Sequence, residues 1–95
     1  MILMTLLALA VTASVNAGIE DDFIADQRQQ HAQIEADMAR MSTLGKDLRD
    51  FQRDLIRMNL ETYMTLLEMS RNSGNAVEFC RSELTWARAQ WQLVK

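Results

Sequence analysis

His31, Glu35 and Met38 are the first residues in this chain whose types and spacing could do chemistry together. Four and three apart, they line one face of a helix, and Met41 adds a second thioether. Imidazole, carboxylate and thioethers form a donor set suited to copper or a similar ion. The plainer account is that Met38 and Met41 fill a helix core, as methionine commonly does. His31 would then stand exposed among Gln29, Gln30 and Gln33. On that account no metal and no cofactor is expected. His31, Glu35, Met38 and Met41 are the residues to watch if one were found.

Cys80 is the sole cysteine. A thiol nucleophile needs a base, and the only histidine lies far away along the chain. Its setting between apolar residues suggests a small buried hydrophobe. The alternative is a disulfide to another chain, because an odd cysteine in an exported protein invites intermolecular pairing. Arg49, Arg53 and Arg57 recur every four residues and could form a rail for phosphate or an acidic partner. Asp50 and Asp54, three residues before Arg53 and Arg57, turn that rail into ordinary helix-surface pairs. Trp86 and Trp91 could seat at a membrane interface, but core or partner burial is the commoner use of tryptophan. No nucleophile elbow, phosphate loop, dinucleotide fingerprint or zinc spacing occurs. The chain is therefore not expected to be an enzyme.

These residues must be held by helices. The chain has no proline and three glycines, and Ala, Leu, Met, Gln, Glu and Arg dominate after residue 17. Its 95 residues allow one domain at most, and 48% hydrophobic content argues against disorder. A net charge of −3 with mixed signs gives no footprint for nucleic acid.

Ile2 to Val11 is an apolar run interrupted by Thr5 alone, and Thr12 to Ala17 turns small and polar. Val15-x-Ala17 fits the small-x-small pattern of signal-peptide cleavage, and Glu20, Asp21 and Asp22 follow at once. The stretch lacks a basic start. It also falls short of the ~20 apolar residues of a membrane span. Residues 1–17 are read as a secretory signal cleaved near Ala17, which makes the mature chain periplasmic or secreted. An N-terminal anchor in the inner membrane is the alternative.

Residues 18–45 form an N-terminal helical arm. Phe23 and Ile24 open its apolar face and Ile34, Met38 and Met41 close it, with Gln27 and Gln30 between. At Ser42-Thr43-Leu44-Gly45 the apolar register slips, so the helix either stammers or breaks. Residues 46–95 form a helical hairpin. Its first helix, about 46–70, carries Leu44, Leu48, Phe51, Leu55 and Met58 at alternating steps of four and three. The apolar side then moves to Ile56, Leu60, Tyr63 and Leu67. Arg71 to Asn75 is a turn in which Gly74 can take the left-handed conformation. The second helix, about 76–93, opens on a capping box of Asn75 and Glu78. Val77, Cys80, Leu84, Ala87, Trp91 and Val94 form its seam, with Phe79, Trp86 and Leu93 as a second row.

The expected fold is thus all-α: an antiparallel α-hairpin with a preceding helix, closed as a three-helix bundle or as a coiled-coil-like oligomer. The broad second face must be covered, and the Gln-rich arm favours a second subunit or partner over the arm itself. Val77, Phe79, Cys80, Leu84, Trp86 and Trp91 are the expected interface. The expected function is a small exported interaction protein, an accessory of an envelope complex such as a secretion or conjugation system. Its partner would be itself or another envelope protein, with membrane contact not favoured. The alternatives are a membrane-active or host-killing protein and a periplasmic metal-binding protein.

Overall fold

The computed structural model describes the backbone of residues 2–95 and the side chains of residues 18–95. The expected signal segment and its junction near Ala17 therefore lie outside the residues whose side chains are described. Among the described residues three helices make up the fold: α1 (Ile2–Met41), α2 (Lys46–Asn72) and α3 (Val77–Val94). Among the described residues there is no strand, and the architecture is the all-α hairpin with a preceding helix that the apolar periodicity implies.

The register slip after Met41 resolves as a break. Hydroxyls do most of the work: Ser42 Oγ donates to the Ala39 carbonyl and Thr43 Oγ1 to that of Arg40. Both satisfy carbonyls that the end of a helix leaves open. Gly45 then caps α2 in an extended conformation, φ −65° and ψ 168°. Any residue can adopt that geometry, and a Cβ there would meet open space. The Arg49 guanidinium donates to the Leu44 carbonyl and closes the turn.

The second turn does need its glycine. Gly74 has φ +80°. Its N–H bonds the Arg71 carbonyl and the Asn75 N–H bonds that of Ser70. Those two bonds are the Schellman pattern that ends a helix. The expected capping box is not formed. The Asn75 side chain reaches back to Ser70 Oγ at 3.1 Å, and Ser70 Oγ donates to the Asn75 carbonyl. Ala76, at φ 48°, takes the N-cap place of α3 with no side-chain hydrogen bond. Asn75 is spent on closing α2 and so cannot open α3.

Among the described residues the core is a single cluster. Ile56, Leu60, Tyr63 and Leu67 of α2 interlock with Cys80, Leu84, Ala87 and Val94 of α3, and α1 contributes Ile34. Phe23, Ile24, Met38 and Met41 of α1 pack around it. The arm therefore folds back as a third helix, against the expectation that another subunit would cover this face. The upstream seam of α2 behaves differently. Leu48, Phe51 and Met58 are 61%, 63% and 62% exposed, and Leu55 also faces water. The apolar side does not rotate from one neighbour to another; α2 carries two separate apolar faces, and the chain buries one.

Two contrasts follow in unfolding experiments. Leu60→Ala should cost about 2–5 kcal/mol by leaving a cavity in the core, whereas Leu93→Ala, on a side chain 69% exposed, should stay within ~0.5 kcal/mol. Gly74→Ala should cost about 1–2 kcal/mol through its left-handed backbone, while Gly45→Ala should be nearly neutral.

Candidate functional site

His31 holds the arm in place through three contacts at once. Its Nδ1 lies 2.5 Å from Glu83 Oε2 on α3, and its Nε2 lies 2.5 Å from Glu35 Oε1 one turn along α1. Its ring stacks on Trp86 of α3, with centroids 3.5 Å apart and planes 18° from parallel. From α2, the Tyr63 hydroxyl donates to the same Glu83 oxygen at 2.6 Å. Tyr63 also meets Trp86 edge to face, at 6.3 Å and 86°. Two side chains, His31 of α1 and Tyr63 of α2, thus each meet the same carboxylate and the same indole of α3.

The protonation state follows from the donor count. A neutral imidazole has one N–H and cannot donate to two carboxylates; the imidazolium can. Burial by itself would lower the His31 pKa, but the hydrogen bonds to Glu83 and then Glu35 outweigh it, and the net shift is upward. Burial and the neighbouring Glu83 carboxylate push the Tyr63 phenol far up, so it remains a donor. Arg28 adds a second polar hold, its guanidinium 5.8 Å above the Phe79 ring.

Cys80 and Leu84 are fully buried against α2, and Cys80 Sγ lies 3.8 Å from the Asn75 carbonyl. A disulfide through Cys80 would require α3 to lift away. Phe79, Trp86 and Trp91 are half-buried against the core, and Val77 is partly exposed at the start of α3. Most of the face expected to receive a partner is thus occupied from within the chain. His31 and Glu35 do meet, but both ring nitrogens of His31 already face carboxylates. Met38 packs toward the core and Met41 lies beside the turn. Among the described residues no group of three or more His, Cys, Asp or Glu side chains is placed to hold a metal. The arginine rail is paired: Arg53 with Asp50 at 3.0 Å, and Arg57 with Asp54.

Sequence reasoning missed Tyr63 and Glu83 as polar partners and read His31 as exposed. One signal was available. Glu83 stands three residues after Cys80 and four before Ala87, on the flank of the buried seam of α3, where an unpaired carboxylate is costly.

What remains free is the outer face of α2. Leu48, Phe51, Leu55 and Met58 lead on to Met69, also exposed at 62%. It faces away from Ile56, Leu60, Tyr63 and Leu67, so α1 and α3 leave it uncovered. The chain matches no family model, and neither curated proteins nor solved structures provide a match.

The clasp has a pH signature. A His31 pKa raised above its ordinary value of 6.5 means that its stabilisation is complete below about pH 6.5 and is lost as pH rises through the folded-state pKa. Urea unfolding at about pH 6 and about pH 9 should show the protein more stable in acid, and His31→Gln should abolish the difference. Stability that rises with pH over this interval would contradict the clasp. Tyr63→Phe should cost about 1–2 kcal/mol at neutral pH, since it removes one donor to a charged acceptor.

Proposed function

We propose that the mature chain is an exported helical interaction protein whose fold holds the outer face of α2 outward to receive another helix. The observation that carries this reading is the exposure of Leu48, Phe51, Met58 and Met69 on one line of one helix. An exposed apolar patch such as Leu48, Phe51, Leu55 and Met58 form on a small domain marks an interaction site. This reading sets the interface on α2 rather than on the expected face of α3.

Export is supported by the apolar run from Ile2 to Val11 and the small residues up to Ala17. Among the described residues no helix is long and apolar enough to cross a membrane. An accessory role in an envelope assembly, such as a secretion or conjugation system, suits a small exported chain with one interaction face. The acidic side chains Asp54 and Glu61 border the seam, which disfavours docking on anionic lipid. The paired ring nitrogens of His31 weigh against a metal-binding role.

Site-specific photocross-linking in the producing cell tests the reading. A photoreactive residue at Phe51 should yield discrete protein adducts, and one at Ala39, exposed on the outer side of α1, should not. Equal labelling from both positions would count against it. The protein recovered from the envelope or medium should begin at Gly18 by intact mass; a chain retaining residues 1–17 in those fractions would argue for an anchor.

A further inference from the structure

We infer that the occupant of the outer face of α2 is a second copy of this chain, paired in parallel and in register. The inference rests on the reading of that face as an interaction surface. From Leu44 the steps run four, three, four, three through Leu48, Phe51, Leu55 and Met58. The same alternation continues through Thr62 and Thr65 to Met69. A strict seven-residue repeat along a whole helix is the pattern of a left-handed coiled coil.

The two threonines do not break the seam. Thr62 Oγ1 donates to the Met58 carbonyl at 3.1 Å, and Thr65 Oγ1 donates to the Glu61 carbonyl at 2.8 Å. Each hydroxyl is thus satisfied within its own helix, and no donor would be stranded when the seam is covered.

The flanks decide the partner's direction. With Leu48 and Leu55 at a positions, the g positions are Asp47, Asp54, Glu61 and Glu68, all acidic. The e positions are Gln52, Asn59 and Leu66, all neutral. An antiparallel pairing sets g against g and would align acid with acid along the interface. A parallel pairing sets g against e of the partner: Asp47 beside Gln52, Asp54 beside Asn59, Glu61 beside Leu66. The two acidic rows then lie on opposite flanks of the pair. Only the parallel arrangement avoids like charges face to face.

Area and access agree. At roughly 100 Å² for each exposed large side chain on this face, the patch offers about 600 Å² per chain, near the ~800 Å² per partner of a standard interface. The buried residues Ile56, Leu60, Tyr63 and Leu67 lie on the other side of α2, so neither α1 nor α3 stands between two approaching copies.

Sedimentation equilibrium of the purified chain, followed up to roughly 100 µM, should give a dimer with a micromolar dissociation constant. Phe51→Glu with Met58→Glu should raise that constant at least ~100-fold, while circular dichroism keeps the helix content of the parent. Leu48→Cys in a Cys80→Ala background fixes the direction. Parallel pairing brings the two Leu48 positions together, so this variant should oxidise to a disulfide-linked dimer on its own. Cross-linking only when it is mixed with Thr65→Cys, the d position that an antiparallel partner would set against Leu48, would mean antiparallel pairing and would overturn the inference. A monomer at every concentration would also overturn it. In that case, an amphipathic helical peptide with lysines along its apolar stripe separates the two claims. Binding to the parent but not to the double variant would leave the interaction face standing with a different occupant; binding to neither would remove both.

Discussion

The three helices of this fold meet at one carboxylate, that of Glu83 on α3, which faces the His31 ring of α1 and accepts from the Tyr63 hydroxyl of α2. His31 leaves α1, lies flat on Trp86 of α3, and presents one N–H to Glu83 and the other to Glu35. Tyr63 completes the Glu83 acceptor from α2. The arm has a gap in its apolar face, where Gln27 and Gln30 stand between Phe23 and Ile34. Area burial alone would therefore hold its middle weakly, since the hydrophobic term scales with apolar surface removed from water. Charge-assisted hydrogen bonds in a partly desolvated setting supply the missing hold. They also make it conditional on a proton.

That arrangement explains how α2 can serve two purposes. With α1 clasped over the half-buried Phe79 and Trp86, the chain completes its own core through Ile56, Leu60, Tyr63 and Leu67. The opposite face, from Leu48 to Met69, is left without an internal neighbour. Had the arm been apolar throughout, the bundle could close by burial alone. Had it been absent, α3 would carry the uncovered surface. The clasp thus fixes which face is spent inside the molecule and which is offered outside it, and it does so with few residues.

Much of the architecture was legible in the residues, because helix periodicity and turn chemistry act locally. The seam of Cys80, Leu84, Ala87 and Val94 is the buried side of α3, and Gly74 adopts the positive φ expected of it. Three features were not legible. The slip after Met41 admitted both a stammer and a break, and side-chain bonds from Ser42 and Thr43 decide it. Asn75 has the right identity and spacing for a cap, yet Ser70, five residues earlier, captures it. His31 and Glu83 are separated by 52 positions, and no periodic pattern announces a polar contact at that range. The apolar seam of α2 was visible as a seam, but whether it faces inward depends on where the other helices go.

The most direct measurement is nitrogen NMR of the His31 ring in the folded protein, followed as pH is raised from about 5 to about 9 across the ordinary histidine pKa. Sole histidine that it is, its signals need no assignment by mutation. The clasp predicts a midpoint above the ordinary 6.5, with both ring nitrogens protonated below it. A midpoint at or below 6.5 would contradict the account.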